Sequence, residues 1–547
     1  CAALGGVSDR ALTLANEVAA AVNKRFKNKY VGMYAYNQHS PPPKIRAHPN
    51  VVISIATGFI RGGYTVDELI EGWAAKGATI GMREYYSVNM WSRNLPGAAR
   101  GTNLGYLKRT IPHFYAKGAR FMSAESGDCW GPCGLGYYLA ARMLWDVNEA
   151  KNIDALVDDF LTRCFGPAKA PMGEFYRLID GTNRPLLCDD LLGRMYRLLD
   201  QSRKLADTPE IRARIGDLIL YTHYVELFRN YRSAKGPERQ SAFERLIRHS
   251  YRIRGTMMVH SKAIYRDLVT RDKQVTIPPV ARWGVSEAKN PWKSGKPFGD
   301  SELKGILATG IAKFKITQIK NVDFGMDLVP ATPLKLPKAE PGHASSHGRG
   351  VQTFYTWVDK QSKTITLKVT GGLIAHYRDR GDAKVELWRG KTRVDKGSTA
   401  PDGVERTVIL RPKHTGLHKI TVSDGNDATR VRWDASTPMT IISSIRESGT
   451  LSMRYSLYFY VPKGVKTVDM FAGGSGAIRD AAGNTLLKFD SRKPGYHSIP
   501  VPKDQAGKLW ELHQCTGTHL LLNLPPCLAR SESELLLPRK IVERDSQ

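Results

Sequence analysis

Two periods of apolar spacing run along this chain, and the change from one to the other divides it. Behind Ser8, a helix-capping residue type, the apolar residues Ala11, Leu14, Ala15, Val18 and Val22 recur at helical spacing. Short continuous apolar runs then predict strands at Tyr30–Tyr36 and Asn50–Ala56, at Ala78–Met82, and from Ala119 onward. Between the runs the helical period returns, over Val66–Lys76, from Asn103 to Lys117 and from Leu135 to Val147. Strand followed by helix, repeated, predicts a parallel sheet covered on its faces.

A doubly wound sheet and a (β/α)8 TIM barrel both satisfy that order. No G-x-G-x-x-G follows the first strand, and polar residues follow every strand instead of gathering at one switch point: Asn37, Gln38 and His39, then Thr57, then Arg83 to Tyr86, then Glu125 to Asp128. The barrel is therefore the expected fold of residues 1–150. Only four strands are present, and the chain opens at Cys1 with neither an initiator Met nor a signal peptide. The reading is the C-terminal half of a barrel, its other half expected before Cys1, because four strands cannot close.

Beyond the barrel, residues 151–275 carry long amphipathic runs and predict an α-helical extension. Arg245, Arg248, Arg252 and Arg254 crowd one stretch of it and read either as an anion site or as a solvated helix face. Residues 276–342, rich in Pro, Lys and Gly, break the period and read as a linker. Short alternating strands with Gly-containing turns then predict one β-sandwich over 343–440 and a second, with a C-terminal tail, over 441–547.

The candidate chemistry lies at the strand ends. Glu84 and Glu125 each close a strand, and glycosidic cleavage needs two carboxyl groups flanking the scissile bond. Arg83 beside Glu84 reads as a holder of a substrate carboxylate or as an ordinary ion-pair partner. Tyr36, Asn37, His39, Tyr85, Tyr86, Asp128, Trp130, Tyr137 and Tyr138 complete a partly polar, largely aromatic substrate-binding set, with Trp91 a further candidate for stacking on sugar faces. Packing competes with that role at Tyr137 and Tyr138, and a rigid loop before Pro41, Pro42 and Pro43 competes at His39.

The runs SDRALTLANEVAAAV, KYVGMYAYNQHSPPP, GMREYYSVNMWSRNLPG, GARFMSAESGDCWGPCGLGYYLAARMLWD and RIRGTMMVHSKAIYRDL resemble the bacterial family known as domain of unknown function 4838. The resemblance covers most of Ser8 to Leu268. That family is similar to glycoside hydrolases on (β/α)8 barrels, notably the α-glucuronidases of family 67, whose last barrel helix carries a run similar to GLGYYLAARMLWD. It implies carbohydrate chemistry and a general acid supplied by strands before Cys1; no cofactor is expected. Glu84 and Glu125 match, in kind, the carboxylates to which family 67 assigns the base function. A non-catalytic glycan-binding or cell-surface scaffold is the alternative expectation.

Seven cysteines, at 1, 129, 133, 164, 188, 515 and 527, form no paired zinc knuckle, and no metal is expected. Three residues separate the thiols of CWGPC, so the thioredoxin spacing is not met, while a Cys129–Cys133 disulfide stays open for an exported protein. The odd count leaves at least one thiol unpaired within the chain. The formal charge of +29, from 81 Lys and Arg against 52 Asp and Glu, reads either as attraction to an acidic polymer or surface, such as a uronic-acid or sulfated glycan, or as a solubility trait alone. Nucleic acid would feel the same field, but no nucleic-acid motif is present. No run of 18 apolar residues occurs, and the expected location is extracellular or periplasmic.

Overall fold

The computed structural model describes residues 5–340, 345–361, 363–435, 437–448 and 453–547. Cys1 and the expected boundary at 342/343 lie outside the described residues. The chain forms two compact units, Cys1–Ile316 and Thr317–Gln547, so the sheet and the helical stretch that follows it belong to one unit.

The first unit opens with helix α1 (Val7–Arg25), then strands β1 (Val31–Asn37) and β2 (Val51–Ile60), α2 (Val66–Ala74), β3 (Thr79–Tyr85), the single turn α3 (Asn89–Ser92), α4 (Leu104–Ala116), β4 (Phe121–Glu125) and α5 (Trp130–Trp145). All strand pairs are parallel and the spatial order is β1-β2-β3-β4, the order along the chain. A Rossmann-type sheet reverses its order at a switch point, and this one does not. Leu12, Ala15 and Ala19 of α1, Leu69, Ile70 and Trp73 of α2, and Phe114 of α4 form one core with Ala35, Ile53, Ile55, Ile80 and Met82 of the sheet. These helices thus share one face of the sheet. The sheet is open, and among the described residues neither β1 nor β4 has a second strand neighbour.

Local chemistry explains the helix starts. The Thr65 hydroxyl accepts from the Glu68 amide and the Glu68 carboxylate accepts from the Thr65 amide, while Asn103 caps α4 through the Tyr106 amide. At α1 the expected cap is corrected. Ser8 is inside the helix, and the Asp9 carboxylate instead accepts from the amides of Gly6, Lys44 and Ile45, tying the helix start to the loop after β1. Its buried face is corrected too: Leu12, Ala15 and Ala19 face the sheet, whereas Leu14 is 68% exposed and Val18 is also exposed. Helix α5 crosses the turn at Arg100–Thr102 so closely that a Cβ on Gly136 would stand 1.7 Å from the Gly101 carbonyl oxygen.

Among the described residues seven further α-helices follow in the unit: α6 (Ile153–Phe165), α7 (Lys169–Ile179), α8 (Asp189–Leu205), α9 (Pro209–Ser233), α10 (Gly236–Arg252), α11 (Ser261–Arg271) and α12 (Asp300–Lys313). Helix α12 falls in the stretch expected to be irregular. Its glycines and lysines thin the apolar signal, yet Gly310 is where the Tyr196 ring of α8 packs, 2.4 Å from a Cβ built there.

A buried polar network joins these helices. Glu226 accepts from Tyr196 Oη at 2.7 Å and Lys313 Nζ at 2.8 Å, with His223 Nδ1 at 3.3 Å. Burial alone would raise its carboxyl, but the hydrogen bonds from His223, Lys313 and Tyr196 outweigh it and hold Glu226 at about 2. His249, whose Nε2–H donates to the Leu220 carbonyl at 2.9 Å, is pushed down to about 3, chiefly by burial. Between the unfolded value of about 6.5 and about 3 the unfolded chain therefore binds a proton that the folded chain does not, so stability falls as pH falls. Chemical denaturation at pH 7 and pH 5 should show the wild type losing about 2 kcal/mol more than His249→Gln. Equal losses in the two proteins would remove His249 from the acid sensitivity.

The second unit is built of antiparallel strands. Glu405–Leu410, Ile365–Thr370, Gly416–Trp433, Ala383–Arg389 and Thr392–Thr399 are neighbours in that order, with Ser346–Val358 also paired to Gly416–Trp433. A four-stranded sheet contains Tyr455–Val461 and Lys508–Cys515, and a three-stranded sheet contains Thr467–Ala472. Residues of all three sheets, among them Phe354, Leu387, Leu457, Met470 and Trp510, belong to one continuous core. The two expected β modules therefore share their interior.

Candidate functional site

Side chains alternate across a strand, so the register of the four-stranded sheet sorts its residues into two faces. Ala35, Ile55, Met82 and Met122 form a row under the helices. The next rows on the opposite face are Tyr34, Ser54, Gly81 and Phe121, then Ala56, Arg83 and Ser123, then Tyr85 and Glu125. This second face is concave: Tyr30, just before β1, and Phe121, at the start of β4, bring their rings within 6.1 Å across it.

Arg83 and Glu125 meet on the open face, Nη2 to Oε2 at 3.0 Å, with 24% and 46% of their side chains exposed. The Arg83 guanidinium stands 5.8 Å from the Tyr34 ring and 5.5 Å from the Tyr85 ring, which hold it by cation–π attraction. At the strand ends the rings are continuous: Tyr36 to Phe59 at 5.5 Å, Phe59 to Tyr85 at 6.0 Å, Phe59 to Trp91 at 5.7 Å and Tyr85 to Trp91 at 5.4 Å. Trp91 is 53% exposed, so the cluster ends in an open indole face. Burial, with Tyr36 nearby, pushes the Tyr85 phenol up to about 12, keeping it a neutral hydrogen-bond donor.

Phe59 is absent from the sequence-derived set, whereas Trp91 belongs to it. Phe59 sits at φ +59°, a conformation that is strained for a bulky residue, where β2 bulges between its pairings with Ala35 and Asn37. The apolar period of VVISIATGFI gives no sign of that bulge, although the glycines of TGFIRGG carry turn chemistry that could have placed it.

The pairing of Glu84 with Glu125 is corrected by the pleat. Glu84 is in register with Ala124, whereas Glu125 is in register with Tyr85, so the two acids leave the sheet on opposite faces. Glu84 is 0% exposed. It accepts from Tyr106 Oη and from Arg100 Nη1 at 3.0 Å, and Arg100 also donates to Thr57 Oγ1 at 2.8 Å. Tyr86 shares that side, buried, its hydroxyl 3.3 Å from the Met122 sulfur, and it too is corrected out of the open face.

The remaining candidates separate. Asn37, at φ +53°, uses Oδ1 to accept from Arg61 Nε at 2.7 Å and so braces the turn after β1. His39 is half-buried in that turn, and burial lowers its imidazole below the usual value. Asp128 is half-buried in the loop after β4, and Trp130 is exposed, edge-on to Tyr137 at 5.3 Å. The Tyr137 hydroxyl donates to the Gly127 carbonyl at 3.3 Å, supporting this loop. Tyr138 is corrected to a packing residue: its hydroxyl donates to Asp159 and its ring meets Phe160, both on α6. Cys129 and Cys133 are buried free thiols with sulfurs 3.3 Å apart.

The loop is closed from behind by the segment before α11. The carbonyls of Met257 and Met258 accept from the Trp130 and Gly131 amides at 3.1 and 3.2 Å, and the His260 amide donates to Asn94 Oδ1 at 3.2 Å. A Cβ on Gly127 would stand 2.6 Å from His260 Nδ1. The Ser-Gly-Asp loop and the Met-Met-Val-His segment therefore fit only as a pair. Among the described residues no three His, Cys, Asp or Glu side chains converge as metal ligands.

Residues 2–177 match the family described as a domain of unknown function, DUF4838. The DUF4838 region thus holds all four parallel strands, the Arg83–Glu125 pair and helix α5. The segment RIRGTMMVHSKAIYRDL, expected within the resemblance, lies beyond it. No curated protein matches the chain.

Proposed function

We propose that the open face of the DUF4838 sheet binds an oligosaccharide and that Glu125 supplies a carboxylate for cleaving its glycosidic bond. One observation carries the reading: an exposed Arg–Glu pair, framed by Tyr34, Tyr36, Phe59, Tyr85 and Trp91, at the C-terminal ends of parallel strands. That end is where parallel α/β folds carry their chemistry. Aromatic faces suit the C–H faces of sugar rings, while a carboxylate and a guanidinium suit their hydroxyls.

The strand order along the chain, with helices on one face, is that of part of a (β/α)8 barrel, and the open face corresponds to its interior. It supports the resemblance to barrel glycosidases. In this reading Glu125 activates water or attacks the anomeric carbon, Arg83 orients Glu125 and the substrate, and a second carboxyl group protonates the leaving oxygen. Glu84 does not fill that second role, since it is buried on the other face. The net charge of +29 supports an acidic glycan, encountered outside the cytoplasm. No helix among the described residues is long and apolar enough to cross a membrane.

A second reading, glycan binding without catalysis, is favoured by Glu125 being the single carboxylate among the described residues of the sheet's open face. Both readings require binding, which intrinsic tryptophan fluorescence can follow on titration with uronic-acid and neutral oligosaccharides. Trp91→Ala should weaken binding about tenfold, ~1.4 kcal/mol. Unchanged affinity in Trp91→Ala would move the binding face elsewhere.

A further inference from the structure

The helical part of the first unit carries a half-open pocket of about 470 Å³ that shares no lining residue with the open face. Its walls come from α9, the end of α10 with the turn after it, the stretch before α12, and α12 itself. Apolar side chains dominate, including Leu220, Phe298 and Leu303, and three charged residues, Asp217, Arg252 and Arg254, reach it.

Both arginines are already committed. Arg252 binds Glu302 through two hydrogen bonds of 2.8 Å, donates to the Lys296 and Pro297 carbonyls, and stands 3.5 Å over the Phe298 ring. Arg254 pairs with Glu287 at 3.1 Å and lies 3.9 Å over the Tyr251 ring. Asp217 has no hydrogen bond or ion pair among the described residues. Burial raises its carboxyl to about 6, and no neighbouring charge contributes. The one uncompensated charge in the cavity is therefore negative. A carboxylate on an apolar wall costs free energy until a cation pairs with it.

We propose that this cavity binds a small organic ammonium ion, its N–H donors on the Asp217 carboxylate and its carbon body against Leu220, Phe298 and Leu303. The volume lies within the range of small-molecule sites and leaves room for a six-membered ring carrying an amine. An anion would meet Asp217 as a like charge, and a neutral ligand would leave it uncompensated. An amino sugar and a hydrocarbon amine share the required chemistry.

Ligand-observed saturation-transfer NMR and calorimetry on the whole chain test this with three probes: glucosamine, cyclohexylamine and, as the neutral counterpart, glucose. At least one amine should bind, and Asp217→Asn should weaken it tenfold or more, the scale of a charge-assisted hydrogen bond. The thermal midpoint of Asp217→Asn should hold or rise, because an unpaired charge has been removed. Binding of glucosamine alone assigns an amino sugar, and binding of cyclohexylamine assigns a hydrocarbon amine. Three results overturn the proposal: no amine binding, amine binding unchanged in Asp217→Asn, or Asp217-dependent binding of glucose as tight as that of glucosamine.

Discussion

Glu84→Ala should destabilise the first unit by about 3 kcal/mol, the low end of the cost of breaking a buried ion pair. The carboxylate is fully buried and accepts from Arg100, Tyr106 and the Tyr85 amide, so its removal strands three donors at once. Arg100 moderates the loss, because 38% of its side chain already reaches water and can be rehydrated. Glu84→Gln keeps the volume and an acceptor for Tyr106 and should cost less than half as much. Urea denaturation of both variants checks the order. The opposite pattern, Glu84→Gln as stable as wild type but without activity on a glycan, would return Glu84 to the chemistry.

That contrast shows what a strand conceals in one dimension. Arg83, Glu84, Tyr85 and Tyr86 read as one polar cluster in sequence, yet the two-residue period deals them to opposite faces. The information was present: Ile80 and Met82 mark the helix side, and counting by two from them reaches Glu84. The parallel strands, the helices between them and the antiparallel second half were legible, because continuous apolar runs, capping residues and Gly turns each have a local cause. Helix α1 was misread because it carries two apolar stripes, and local pattern cannot say which one meets the sheet. Tyr138 and Tyr137 are neighbours about 100° apart on one helix, so one meets α6 and the other the loop after β4. Phe59 and His260 reach the site region through a bulge and a distant segment, neither of which leaves a periodic signal, whereas Trp91 stands out as an aromatic after the third strand although its single helical turn has no period.

The two faces also divide the work of the site. Under the helices, Glu84 and Arg100 fix the ends of β2 and β3 by satisfying Thr57 and Tyr106. On the open face, Arg83 is held between two rings and holds Glu125 in turn. A buried pair provides rigidity, and an exposed pair offers reactivity, because its charges can be exchanged for a ligand's at little cost. Substitutions on the two faces should therefore separate stability from function.

Glu125→Gln is the decisive case. The Arg83–Glu125 pair is solvent-exposed, so its loss should change stability by no more than about 1 kcal/mol. If Glu125 activates water or attacks carbon, the amide can do neither, and turnover of a susceptible glycan should fall about a thousandfold or more with ligand affinity little changed. Sugar release from a panel of uronic-acid and neutral oligosaccharides, measured beside fluorescence titration of the same ligands, separates the outcomes. Release by the wild type that vanishes in Glu125→Gln places this carboxylate in glycosidic cleavage. Release that persists in the variant removes it from the reaction. Binding by both proteins with release by neither assigns the open face to recognition alone, with Arg83 and Glu125 as paired contacts for sugar hydroxyls.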